Sequence, residues 1–431
     1  MWPKPCNTGA PCARRSRSLI VSSARFDASF VLRLSLAQLI SWGSVFYLFS
    51  LLIEPLERDL DLSRAQVSLA FSLGLLAEGL MAYPVGRWID RGHERLVMTA
   101  GSLLAGLGLG LHSVVTSLAG LYAVWLLLGA AMAAVLYSPA FALLTRRFPH
   151  DFRRAIITLT FLGGLASTVF IPLIAWLMHH LGWRDALLGL ALLHLLVCAP
   201  LHWLGLRGAQ VSVRTSEHPT AGPVPGLRPL LRSAPFLLVG VFTVVMMSVT
   251  VALPAHMVSL LRENGLPEFW VIALPAAIGV AQVLGRLLLY FFEHHADLHR
   301  VNRLVPLLIP LGVLVLLLAP MLASWQVAAV GLFVLIYGLG NGMLTIVKGT
   351  AIAYYVSQDH VATLNGALGV PLALARAAAP LLLGVMWSPQ AGYSHGLWLL
   401  LGLSVLGVGA LMLAQRLSLH QPGPAPSGLS A

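Results

Sequence analysis

Lysine is nearly absent from this chain, which has two among 431 residues, Lys4 and Lys348. A phosphate-binding loop needs Gly-Lys-Ser/Thr, with the ammonium reaching the terminal phosphates. Lys4 follows Pro3 and Lys348 follows Val347, so ATP hydrolysis is not expected. Charge of either sign is scarce at 10% of residues, where soluble domains run near ~25%. The three cysteines, Cys6, Cys12 and Cys198, cannot build a disulfide framework, and Cys198 lies inside an apolar block. There is no H-E-x-x-H, and Gly101-Ser102 lacks the flanking pattern of a nucleophile elbow. The reading is a non-enzyme that needs no cofactor.

Hydrophobic residues make up 58% of the chain. One soluble core does not grow much beyond about 250–300 residues. Here the apolar residues recur in blocks of about twenty, the length of one bilayer-crossing helix. The expected spans are 30–53, 67–88, 96–116, 119–144, 155–178, 185–206, 234–257, 270–292, 304–323, 325–347, 361–386 and 393–414. The fold class is therefore all-α: a polytopic membrane protein of twelve transmembrane helices. The longest interruption, 207–233, is rich in Pro, Gly and Ser and separates six spans from six. Residues 1–29 read as an N-terminal tail, 30–206 and 234–414 as two six-helix bundles, and 415–431 as a C-terminal tail. The first block is too long for a signal-peptide core and reads as a retained helix.

The formal net charge of +11 suits an anionic membrane surface or nucleic acid. The positive residues lie between apolar blocks, not in one basic domain, so nucleic acid is not an expected partner. Their distribution sets orientation. Arg14, Arg15, Arg17, Arg25, Arg87, Arg91, Arg95, Arg146, Arg147, Arg153, Arg154, Arg300 and Arg303 fall on the side of the N-terminus. Arg58, Arg64, Arg184 and Arg262 fall on the other. Both termini are expected in the cytoplasm, with the protein integral to the plasma (inner) membrane.

After the second span the chain reads Gly86-Arg87-Trp88-Ile89-Asp90-Arg91-Gly92-His93-Glu94-Arg95. This resembles the G-x-x-x-D-R-x-G-R-R/K loop of the major facilitator superfamily, in that family's position between spans two and three. Two departures stand out: the second glycine comes one place early, and Glu94 replaces a basic residue. The resemblance implies the family's two-bundle fold and a gating latch of Gly86, Asp90, Arg91 and Arg95 that holds an outward-open state. A small residue lets helices approach, and an anion is favoured at a helix N-terminus. Leu181-Gly182-Trp183-Arg184, Trp42-Gly43 and Leu62-Ser63-Arg64 are similar to segments of the monocarboxylate and oxalate/formate porter branches. The R-x-x-x-G of the family's fourth span is absent, since Trp125 stands four places before Gly129.

Ionisable residues inside spans are costly and each is a functional hypothesis. Arg376 is near the middle of span eleven, and Arg286 lies in span eight. The oxalate/formate resemblance implies that basic residues on these helices hold a carboxylate, which guanidinium groups grip bidentately. Arg286 can instead snorkel to the interface, and Arg376 can instead pair with Glu78 of span two. Gln282 stands where the monocarboxylate branch carries the acid of D-x-x-x-R, so proton coupling there is in doubt. Glu78 is the proton-coupling candidate, its other reading being a neutral hydrogen-bonded side chain. Tyr337, Asn341, Thr345 and Lys348 share one face of span ten, and a polar stripe there should face protein or water. Gln38, Trp42, Tyr47, Tyr137 and His256 are weaker cavity candidates. Glu293, His294, His295, Asp297 and His299 carry metal-ligand chemistry, but a solvated loop is the expected reading.

The chain thus reads as a monomeric secondary transporter moving a small solute, an organic anion such as a mono- or dicarboxylate, by alternating access at a midplane site. Its substrate-binding candidates are Arg286, Arg376, Tyr337, Asn341 and Gln282. A co-transported proton or an exchanged anion are the expected partners besides the bilayer. The alternative is efflux of amphipathic compounds or drugs.

Overall fold

In lipid, an apolar segment must satisfy its own backbone hydrogen bonds, and a helix does so within one stretch of chain. The computed structural model describes residues 27–148, 151–207, 227–292, 297–357 and 360–419. Between its turns it is helical, apart from an isolated bridge joining Ser388 and Gly392. Residues 1–26, 208–226 and 420–431, the bulk of the expected tails and linker, lie outside the described residues, as do Glu293, His294 and His295.

Among the described residues, 11 segments are long and apolar enough to span a membrane. The helices are α1 (Ala28–Leu60), α2 (Arg64–Asp90), α3 (Glu94–Ser113), α4 (Leu118–Arg147) and α5 (Phe152–Gly164, continued by Ala166–Leu181). Then come α6 (Trp183–Gly205), α7 (Ala234–Glu263) and α8 (Glu268–Phe292). The ninth segment, His299–Tyr355, is 57 residues long and holds two helices, α9 (Leu308–Leu318) and α10 (Gln326–Tyr355). They are separated at Ala319–Trp325, where Ala323 leaves helical geometry with φ 41°. They run antiparallel, because Gly340 faces Leu308 while Gly312 faces Tyr337. Adding α11 (Val361–Met386) and α12 (Ser394–Leu419) gives the twelve helices expected.

Local chemistry starts these helices where they start. The Phe30 amide donates to Asp27 at 3.0 Å, capping α1 and holding that carboxyl below its usual range. Ser63 and Gln66 form a reciprocal capping box at the head of α2. Widened π turns occupy Trp42–Tyr47 of α1 and His194–Cys198 of α6, and they meet where Ser44 Oγ lies 2.7 Å from His194 Nε2.

Helices α1–α6 pack on one another, as do α7–α12; the two halves join through α2 with α11, α5 with α8, and α1 with α7. In the first half, Phe49 stacks on Phe71 at 4.4 Å and Trp125 stands edge-on to both at 5.4 Å, tying α1, α2 and α4 together. Leu80, Val370, Val385 and Trp398 are among the large apolar side chains left exposed on the bundle. On a membrane-embedded surface they meet lipid, so exposure there is the stable arrangement.

Candidate functional site

The bundle has a near end, where α1 begins and α2 and α4 finish, and a far end, where α1 finishes and α2 and α4 begin. The far end is tied shut across the halves. Arg64, 6% exposed, grips Glu57 of α1 with two bonds of 2.7 Å and reaches over to Glu263 of α7. Its Nη1 also donates to the Tyr393 hydroxyl at 3.1 Å, and its guanidinium lies 4.3 Å from the Trp387 ring. Arg262 of α7 pairs in turn with Glu54 of α1 and with Glu268, at 2.6 Å. His256 is fully buried here, between the Tyr393 hydroxyl at 3.0 Å and the Pro380 carbonyl at 2.9 Å. A carbonyl only accepts, so Nε2 carries the proton and Nδ1 accepts from Tyr393. His256 is therefore placed in this seal by both its ring nitrogens.

At the near end Arg146 bonds the Ile89 carbonyl, Arg95 bonds the Trp203 carbonyl at 2.8 Å, and Arg303 bonds Gln415 at 3.3 Å. Each of these contacts stays inside one half. A cavity of about 570 Å³ lies in the near half of the bundle, walled by α4 and α5 on one side and α8 and α10 on the other. A second cavity of similar volume, beside Trp387 and Tyr393, is lined by the second half alone and lies at the sealed end.

Arg286 stands in the wall of the near cavity. Its Nη1 donates to the Thr160 carbonyl of α5 at 2.7 Å. Glycine at 164 makes that approach possible, because a Cβ there would come within 2.9 Å of Nη1. Among the described residues Arg286 forms no ion pair. Its polar neighbours include the hydroxyls of Tyr47 and Tyr137. Tyr47 in turn lies close to Ser167 and to Gln282, which is 7% exposed. Tyr337 is wholly buried near Tyr47, stacked on Phe333 at 5.3 Å, and its hydroxyl has no partner among the described residues. Asn341 is half-buried one residue before Gly342 on α10. At Gly342 the backbones of α8 and α10 nearly touch, and an added Cβ would collide with the Gln282 carbonyl. Trp42 packs on Tyr137 at 4.8 Å with its indole N–H unpartnered among the described residues. Gln38 bonds the Val135 carbonyl, and Thr345 bonds its own helix at Gly342.

Arg376 stands apart from this group, with its Nη2 3.4 Å from the Glu78 carboxylate in a pair that bridges α11 and α2. Both are largely buried, at 26% and 15% exposure. Lys348 is half-buried close to Arg376. Of the gating loop, Asp90 and Arg91 are exposed, Gly86 borders open space where a side chain would project, and Arg95 stacks on Trp203 at 3.5 Å. Sequence reasoning missed Thr160, Gly164 and Ser167. The signal available was a Gly163-Gly164 pair in a membrane helix, which marks a face open to close approach.

Two six-helix bundles, closed against each other at one end and enclosing an arginine-bearing cavity toward the other, form a membrane transporter. Residues 34–380 match the model of the Major Facilitator Superfamily, and the chain belongs to that family. It is 31% identical to Monocarboxylate transporter 13 of Bos taurus over 327 residues, 72% of this chain and 73% of that one. Against Monocarboxylate transporter 13 of Rattus norvegicus the identity is 32% over 224 residues, 51% and 47% of the two chains. Among solved structures, a bacterial homologue of the human lysosomal transporter Spinster, inward-facing and occupied, superposes with a TM-score of 0.68 at 16% identity. That match covers 92% of this chain and 98% of the other. The nucleoside transporter NupG matches with a TM-score of 0.68 at 16% identity over 90% and 99%. At such identities these two likenesses speak for the fold alone.

Proposed function

We propose that the protein is a secondary transporter of small organic carboxylates that works by rocking residues 30–206 against 234–414 about the cavity. The observation that carries this is Arg286, a permanent cation in a cavity wall without a carboxylate partner among the described residues. A guanidinium at membrane depth favours an anion beside it, and a substrate carboxylate supplies one in a geometry that suits it. Gln282, Tyr337 and Asn341, on α8 and α10, stand as further binding candidates, and none of them lines the cavity in this conformation. The name of the bovine relative, a monocarboxylate transporter, supports the same class.

In this reading Arg376 is the second cation, held by Glu78 at 3.4 Å until protonation of that carboxyl releases it toward the solute. Glu78 thus remains the proton-coupling candidate. The arginine bias supports an orientation with the near end and both termini in the cytoplasm; in a plasma membrane so oriented, the far-end seal closes the outside. The exposed Asp90 and Arg91 then belong to a latch that engages only when the near end closes. The test is uptake of labelled carboxylates into proteoliposomes by the parent protein and by Arg286→Gln. Losing one charge-assisted pair costs about 1.5–3 kcal/mol, or roughly 10- to 150-fold in affinity. Uptake by Arg286→Gln at the parental rate and affinity would contradict the proposal. Efflux of amphipathic compounds is favoured by one observation, the largely apolar walls of the cavity, and it predicts drug resistance that is indifferent to Arg286.

A further inference from the structure

The cavity beside Arg286 is far larger than a two- or three-carbon acid needs. A water molecule takes about 30 Å³ of liquid, so about 570 Å³ has room for roughly 19 waters. A short acid displaces only a few of them. The rest would stand against Phe141, Phe152, Ile156, Phe161, Leu287 and Ile346, which come from four helices and both halves. Among the described residues, the polar groups of the lining are the hydroxyls of Tyr137, Tyr290 and three threonines, and Arg286 is the one charged side chain in it. Arg376 and Lys348, the other cations at depth among the described residues, are not among the lining residues; Arg376 is paired with Glu78, and Lys348 lies close to Arg376. A single charged anchor next to a broad apolar wall matches a ligand with one anionic end and an apolar body.

We infer that the transported anion is an amphipathic monocarboxylate, with its carboxylate on Arg286 and an aliphatic or aromatic tail of several carbons lying along those six side chains. The inference rests on the carboxylate reading above and narrows it. While Arg376 stays held by Glu78, dicarboxylates are disfavoured, because their second charge would lie against the carbon of this lining. The tail also gives α5 and α10 a common surface to close on, so that binding energy from the apolar end is available to draw the halves together.

The experiment is thermal stabilisation of the purified full chain by propionate, hexanoate, octanoate, 3-phenylpropionate, octanedioate and octanamide, because a ligand specific for the folded state raises its apparent stability. Each buried methylene contributes about fourfold in affinity, so octanoate should bind at least tenfold more tightly than propionate. Octanedioate and octanamide should fall well below octanoate, and Arg286→Gln should bring octanoate down to octanamide. Partition of octanoate into detergent is the same for the parent protein and for Arg286→Gln and drops out of that comparison. Ile346→Trp, which fills the tail space, should weaken octanoate more than propionate. If propionate binds as tightly as octanoate, or Ile346→Trp lowers both alike, the tail assignment fails while the carboxylate reading stands. If octanamide matches octanoate, or Arg286→Gln changes neither, the carboxylate reading itself fails and this inference with it.

Discussion

Glu263→Gln isolates the charge that holds the far end closed. Arg64 keeps both of its 2.7 Å bonds to Glu57, which lies in the same half and travels with it. What the substitution weakens is the reach from α2 to α7, the contact that exists only while the far end is shut. A hydrogen bond to a charged partner contributes about 1.5–3 kcal/mol net. Glu263 is 28% exposed, so water takes back part of that, leaving about 1–2 kcal/mol. At about 1.4 kcal/mol per factor of ten, the far-open population should rise roughly 5- to 30-fold. Ser68 reports it well: the residue is fully buried, and its hydroxyl sits against Gly384 of α11 across the two halves. In a Cys6→Ser/Cys12→Ser background, Ser68→Cys should react with a soluble thiol reagent in proportion to that population, while Cys198 stays buried. Glu54→Gln removes the parallel tie from Arg262, which retains Glu268. The two effects should multiply in the double variant to the extent that the sites are independent. Equal labelling rates in the parent and Glu263→Gln would refute the idea that these ion pairs hold the end closed.

Three further outcomes follow from the same geometry. Glu78→Gln leaves Arg376 without its counter-charge and should lower stability by about 3 kcal/mol, while Glu78→Gln/Arg376→Gln recovers most of the loss, as read by the apparent Tm. Gly342→Ala drives a methyl into the Gln282 carbonyl; α8 and α10 must separate, and the variant should melt several degrees lower or fail to fold, whereas Gly349→Ala, where the space is open, should not. Tyr337→Phe removes a hydroxyl that has no partner among the described residues, so the Tm should hold or rise slightly. A Tm drop above about 1 kcal/mol equivalent would mean the hydroxyl has a structural role instead.

The number of helices was legible because lipid imposes one length on every crossing. Their ends were not, because helices run on past the apolar block wherever side chains can cap or pair the extra turns. Span one was expected at 30–53 and α1 reaches Leu60; span ten was expected at 325–347 and α10 reaches Tyr355. The turns added to α1 and α7 carry Glu54, Glu57, Arg262 and Glu263, which turned loop charges into a seal. Arg64, read as an outer-loop residue, is the buried centre of it. Hydropathy has no term for a charge that leaves water to meet its partner from the other half of the chain.

The depth of a charge and its partner are likewise separate pieces of information. Sequence placed Arg286 and Arg376 within spans eight and eleven and left each with two readings. Periodicity says which face a residue takes on its own helix, but pairing depends on which helices adjoin and how far each is rotated. The packing of α2 on α11 brings Glu78 to Arg376. The packing of α8 on α5, at a glycine, gives Arg286 a carbonyl, with the Tyr137 hydroxyl of α4 nearby but no acid among the described residues. The departure from D-x-x-x-R at Gln282 already contained this result in one letter: without an aspartate on the same face, the arginine's charge is available to a ligand. An aspartate restored there, Gln282→Asp, would lie one helical turn from Arg286. It should compete with the substrate carboxylate for the guanidinium unless it is protonated, which makes affinity for the anion fall as pH rises. Parental affinity at every pH in that variant would mean that the anion is held elsewhere.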